Sequence, residues 1–177
     1  MLAHDFYTGI GSRDCPDDVG IVMTEIAAFL EKEGYVLRSG GADGADTFFE
    51  RGVVDPLFAN IYLIRKDWNG NPSPLYGVCD RALEIAEAIH PAWNSPGMVK
   101  GDGRLLHARN VYQVLGQDFA IKSKFLICWT EGGKPIGGSR TAIKLAEAHD
   151  IPVLNLGAVK TGKYMDAFEL FYMRVAV

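Results

Sequence analysis

The chain has 177 residues, 48% apolar and 23% charged, with a formal net charge of −4 and a pI near 5.5. That length suits about one α/β domain with a full core, and a composition near the globular average argues against disorder outside loops. The acidic balance excludes a global basic field that draws proteins onto nucleic acid without sequence preference, while a local basic groove stays open.

Asp5 to Ile10 is a short apolar run that ends in Gly9-Ile10-Gly11-Ser12-Arg13, which predicts a buried strand feeding a turn. Pro16, Asp17 and Asp18 supply helix-start chemistry, and Val19, Val22, Met23, Ile26, Ala27, Phe29 and Leu30 recur at helical spacing until Gly34. Tyr35 to Glu50 then reads as strand, glycine turn and helix: the β-rich Tyr35–Arg38, the turn Ser39-Gly40-Gly41-Ala42-Asp43-Gly44, and a helix ending near Gly52. Paired glycines let a ligand lie against the main chain while the first helical N–H groups point at it, so such a turn suits an anion. It also suits an ordinary tight connection that needs glycine only for its geometry. Phe58–Ile64 is a continuous apolar run, as in a strand covered on both faces.

Beyond Lys66 the regularity breaks, and residues 71–103 form an excursion containing a helix over Cys79–His90 and the aromatic residues Tyr76 and Trp93. Those two residues suit a pocket, a subunit contact or plain surface decoration. Arg104–Leu115 predicts a helix with Arg109-Asn110 beside its core face, and Phe125–Trp129 a buried strand. The loop EGGKPIGGSR leads to a helix opening at Thr141, then a strand over Ile151–Asn155 and a final helix over Met165–Val177. The fold expected is α/β and Rossmann-like: a doubly wound, mainly parallel sheet of about five or more strands with helices on both faces, in one domain over 1–177.

Cys15, Cys79 and Cys128 are scattered and lack C-x-x-C spacing, which suits a reducing cytoplasm better than a disulfide framework or zinc site. Cys15 lies near a helix start, which favours a thiolate, yet burial is the usual fate of a lone cysteine. The N-terminus lacks a signal-peptide pattern and no apolar run approaches the roughly 20 residues that span a bilayer. His4, His90, His107 and His149 show no metal-ligand spacing, so neither a metal nor a cofactor is expected.

In an open parallel sheet, ligands bind beyond the carboxyl ends of the strands where the winding reverses. Three glycine-bearing loops fall at such ends: Gly9–Arg13, Gly40–Gly44 and Gly132–Arg140. With Arg13 and Arg140 as bidentate phosphate donors, they describe a crevice for a nucleotide or sugar phosphate. The order of G-S-R-D (Gly11–Asp14), S-G-G-A-D-G-A-D (Ser39–Asp46), D-W (Asp67-Trp68), A-R-N (Ala108–Asn110) and G-G-S-R-T-A (Gly137–Ala142) before I-P-V (Ile151–Val153) resembles the SLOG superfamily. These are Rossmann-like domains that include the DNA-processing protein DprA and the LOG-type phosphoribohydrolases, and the pattern is most similar to a small bacterial and phage branch.

The resemblance implies that Gly11, Ser12 and Arg13 border the ligand, that Ser39, Gly40, Gly41, Asp43, Gly44 and Asp46 form its cradle, and that Asp67, Trp68, Arg109 and Asn110 adjoin it. Gly137, Gly138, Ser139, Arg140 and Thr141 would hold its phosphate. The chain departs from the LOG-type P-G-G-x-G-T-x-x-E, with Arg140 at the glycine that precedes the threonine and Lys144 where the catalytic glutamate stands. Hydrolysis of an N-glycosidic bond needs a carboxylate, leaving Asp43, Asp46 and Glu50 as candidates; Asp46 and Glu50 share a helix face. Trp68 suits stacking on a base or plugging the sheet end. Three readings follow: a nucleotide sensor or sequestering protein, a nucleotide N-glycosidic-bond hydrolase, and a DprA-like single-strand DNA binder, which the net charge favours least. A homo-oligomer is expected, with Tyr76, Trp93, Phe168, Phe171 and Tyr172 as surplus contact surface.

Overall fold

The computed structural model describes residues 4–176. Five strands, β1 (Asp5–Gly11), β2 (Tyr35–Ser39), β3 (Ala59–Ile61), β4 (Phe125–Trp129) and β5 (Val153–Asn155), form one sheet in the order β3-β2-β1-β4-β5 with every pairing parallel. The chain winds outward from β1 through β2 to β3, then crosses back to β4 and β5, so the winding reverses between β1 and β4. This is a Rossmann-like, doubly wound α/β fold.

Helix α1 (Asp17–Lys32) begins after Pro16 with Asp17 and Asp18 in its first turn, where carboxylates complement the dipole. Gly34, with φ 88°, follows its C-terminus in the left-handed conformation that ends helices without a Cβ penalty. The other helices are α2 (Ala45–Gly52), α3 (Asp80–Ile89), α4 (Pro96–Val99), α5 (Gly103–Leu115), α6 (Arg140–Ala148) and α7 (Tyr164–Val175). Val177, the expected end of the last helix, and residues 1–3 lie outside the described residues.

Strand alternation divides the interior in two. Tyr7, Leu37, Phe125 and Ile127 point to one face, packing with Met23, Ile26 and Leu30 of α1, Phe49 of α2 and Phe168 of α7. Ile10, Leu126 and Cys128 point to the other, packing with Val111 and Leu115 of α5 and with Ile143 and Leu145 of α6. Fully burying such a side chain contributes roughly 1.5–3 kcal/mol relative to exposure, so both layers are needed to hold the sheet.

One element differs from the sequence reading. The run Phe58–Ile64 supplies only a three-residue edge strand: Pro56–Phe58 is a 3₁₀ turn, and after Ile61 the backbone leaves the sheet edge, with Leu63 bridging Tyr76 instead. For the excursion at 71–103, where surface decoration was one of the open alternatives, the helix contributes to the core. Ala82 and Ala86 of α3 are fully buried, and Trp93 and Met98 join the same core as α5. Trp93 packs inside, whereas Tyr76 stays exposed. Among the described residues, no helix is long and apolar enough to cross a membrane.

Candidate functional site

At the winding reversal, a cleft of about 500 Å³ opens above the carboxyl ends of β1 and β4. One wall is the loop after β1, with Gly11, Ser12, Arg13 and Asp14; the opposite wall is the loop after β4, with Thr130, Glu131 and Ile136 to Ser139. The third side is α5, which presents Leu106, Arg109, Asn110 and Gln113 at the three- and four-residue spacing that shares a helix face.

Asp46 knits the loops together from below. It stands in the first turn of α2, is 2% exposed, and accepts from the backbone N–H of Gly11 through Oδ1 (3.3 Å) and from those of Gly40 (3.2 Å) and Ala42 (3.4 Å) through Oδ2. Burial pushes its pKa up to about 6, while the nearby Arg109 charge and the three amides act in the opposite direction. Desolvation therefore outweighs the stabilisation supplied by its neighbours.

Arg109 is buried beside it, and burial is the main influence lowering its pKa. Its Nη1 donates to the Gly40 carbonyl at 2.7 Å, and its guanidinium lies 5.3 Å from the centroid of Trp68. Trp68 thus backs the arginine by a cation–π contact. Asn110 Nδ2 donates to the Gly138 carbonyl at 2.6 Å, fastening the glycine loop to α5.

At two glycines an added Cβ would collide with neighbours, with buried side-chain ends at Gly40 and with backbone at Gly44. A Cβ on Gly40 would overlap Gln113 Nε2 and Arg109 Cζ. Gly44, which precedes α2 with φ 79° and ψ −127°, would bring a Cβ within 2.5 Å of the Arg13 carbonyl oxygen and 2.6 Å of that of Ser12. At Gly138 neither reason applies: a Cβ there would meet nothing within 4 Å, and the backbone is outside the left-handed region. No protein-family model, curated protein or solved structure matches this chain.

The cleft gathers Gly11, Ser12, Arg13, Asp46, Arg109, Asn110, Gly137, Gly138 and Ser139 from the expected site. Ser39 and Gly40 lie underneath: Ser39 Oγ donates to the Gly9 carbonyl at 2.6 Å, and Gly40 serves Asp46 and Arg109 through its backbone. Gly41, Asp43 and Glu50 border a separate depression, because the turn and α2 face outward there. Asn69 Nδ2 donates to Asp43 and Asn71 Nδ2 to Glu50, so these carboxylates face the 66–72 loop. Gly44 borders a further depression with Arg13, and Asp67 is exposed in a left-handed turn at φ 53°.

Arg140 and Thr141 also fall outside the cleft lining. Thr141 is buried with its Oγ1 2.8 Å from His107 Nδ1, while His107 packs against His90 with ring centroids 4.3 Å apart. Burial, followed by the neighbouring His90, Arg109 and Arg140, lowers the His107 pKa to about 4, keeping the imidazole neutral near pH 7. Among the described residues, no cluster of three or more His, Cys, Asp or Glu could hold a metal ion. Cys15 is buried 3.8 Å from Met23 Sδ, and burial pushes its thiol up to about 12, so the helix start does not produce a thiolate.

Gln113, Thr130 and Glu131 line the cleft without having been singled out from sequence, and Asp14 joins them as the end of the G-S-R-D motif. The helical spacing from Arg109 to Gln113 was the available signal for one of them. Glu131 carried none, since its position depends on how its loop folds back across the sheet.

Proposed function

We propose that this chain binds a nucleotide or a nucleotide-derived phosphorylated ribose as a sensor or sequestering protein, and that it belongs with the SLOG-like domains its motif order resembles. The observation that carries the reading is the cleft itself: glycine-bearing loops meet at the winding reversal with Arg13 on its wall and buried Arg109 at its floor. An arginine there supplies donors for a phosphate or another oxyanion. Gly138 supports the same reading, since close approach of a ligand explains a glycine that neither backbone strain nor internal packing requires. The nine-residue α6 follows that loop, no side chain caps its N-terminus, and the positive end of its dipole favours an anion there.

Holding is favoured over cleavage by the state of Asp46. Of the three carboxylates expected to serve hydrolysis, it alone lines the cleft, and its oxygens accept from three backbone amides. A carboxylate so engaged organises loops and is poorly disposed to activate water. The hydrolase reading retains support from Asp14 and Glu131, which also line the cleft. DNA binding has less support, because the cleft combines its cations with those acids and the chain carries a charge of −4.

The decisive experiment is mass spectrometry of small molecules released by denaturing the purified protein, followed by calorimetry and base-release assays with nucleoside monophosphates. Binding without base release is expected. Base release at enzyme-like turnover would overturn the binder in favour of the hydrolase, and absence of both copurified ligand and binding would remove the nucleotide reading.

A further inference from the structure

Gln113 supplies a side-chain amide that the fold leaves unsatisfied. The residue is fully buried on α5 and borders the cleft, yet neither its Oε1 nor its Nε2 has a hydrogen-bond partner. Its backbone is well anchored, because its carbonyl accepts from Thr8 Oγ1 at 2.6 Å and from Ser123 Oγ at 3.2 Å. Four residues earlier on the same helix face, Arg109 has an unpaired Nε while its Nη1 is held by Gly40. Thus three of the unpaired buried atoms come from two neighbouring side chains at the floor of one cleft. Unmet polar groups in such a place call for a partner, since burial has already removed bulk water from them.

The chemistry of that partner follows from the amide. Gln113 presents a donor and an acceptor side by side in one plane. An ionised phosphate accepts only and would leave Oε1 unmet, whereas the edge of a planar nitrogen heterocycle offers an acceptor beside a donor. The walls agree with a flat ring: Ile10, Ala42 and Leu106 are apolar and border the same cleft. Asn110, on the preceding turn of α5, ties down the glycine loop at Gly138, placing the phosphate-suited loop and the amide on one helix face.

We propose that Gln113 reads the hydrogen-bonding edge of a nucleobase at the floor of the cleft, with Arg109 Nε donating beside it and the phosphate directed toward Gly137 and Gly138. This rests on the nucleotide reading and deepens it: the ligand is recognised through its base as well as its phosphate, and Gln113 sets base preference.

The test is calorimetry on wild-type protein, Gln113→Leu and Gln113→Glu, using adenosine, guanosine, cytidine and uridine 5′-monophosphates and ribose 5-phosphate as probes. Wild type is expected to bind at least one nucleotide about tenfold or more tightly than ribose 5-phosphate, in line with discrimination by one bidentate amide contact. Gln113→Leu should erase that preference while leaving ribose 5-phosphate binding intact. Gln113→Glu, which offers acceptors alone when ionised, should change the ranking of the four bases. The thermal midpoint of Gln113→Leu is expected to hold or rise, because an unpaired buried amide is replaced by an apolar group of similar size; ribose 5-phosphate binding checks that its site is intact. A variant that keeps the wild-type base preference overturns the role of Gln113. Equal wild-type binding of ribose 5-phosphate and every nucleotide overturns base reading while preserving the phosphorylated-ribose reading, and failure of all probes to bind wild type removes both. If Gln113→Leu loses its fold, the proposal stands or falls on whether Gln113→Glu reorders the bases.

Discussion

Asp46 shows how one side chain can be placed in a site for architecture. Its carboxylate receives amides from the ends of two strands, so its removal should loosen both loops together. Its folded-state pKa of about 6 lies above an unfolded value near 3.8. The folded chain therefore binds the proton more tightly, and this contribution to stability is fully present below about pH 4 and lost as pH rises through 6. The stability of wild type relative to Asp46→Asn should consequently be greater at pH 4 than at pH 7, by about 2 kcal/mol. Denaturant midpoints at the two pH values check this, and a pH-independent difference contradicts it.

Gly44 gives a second residue-scale prediction. Ala at φ 79° and ψ −127° is strained, and its Cβ would press on the backbone carbonyls of Ser12 and Arg13, which cannot rotate away as a side chain can. Gly44→Ala should cost about 2–3 kcal/mol and weaken ligand binding by displacing the cleft wall. A chemical denaturation curve superimposable on wild type would show that the turn relaxes at little cost.

At the scale of elements, α5 is the helix on which both packing and the candidate site depend. His107 through Leu115 are all buried, because the sheet lies on one side of the helix and α3 and α6 on others. Such a helix need not show one apolar stripe, and its polar residues each acquire a specific partner or face the cleft. Trp93 belongs to this construction: it is 7% exposed, shares the core of α5, and has the Arg104 guanidinium 5.3 Å from its ring centroid. Trp93→Ala should therefore destabilise by about 3 kcal/mol or more, as expected for a large core truncation. A change within about 0.5 kcal/mol in a denaturant titration would instead mark the 71–103 excursion as decoration.

For the whole molecule, self-association remains an expectation with fewer residues to support it than the sequence supplied. Trp93 and Phe168 are spent in the interior, and Tyr172 stacks on Phe168 with centroids 5.7 Å apart, so the aromatic surplus is largely internal. Exposed apolar side chains do persist at Ile21 of α1 and at Leu170 and Met173 of α7. A homodimer or larger homo-oligomer by light scattering at micromolar concentration is the expected outcome, and a monomeric mass contradicts it.

The alternating helices and apolar strands of this chain were legible in sequence because helical periodicity, glycine stops and buried strand runs are local signals. The loops after β1 and β4, together with Arg109 and Asn110, were legible for the same reason: they carry distinctive residues at element ends. Which loops share a cleft depends on strand order, and only the return from β3 to β4 beside β1 brings Gly11–Asp14 against Thr130–Ser139. Tertiary structure likewise turned Asp43 and Glu50 toward the 66–72 loop while burying Asp46 beneath three amides. Local sequence specifies which groups lie on a helix, but the direction in which that helix leaves the sheet decides which of those groups meet a ligand.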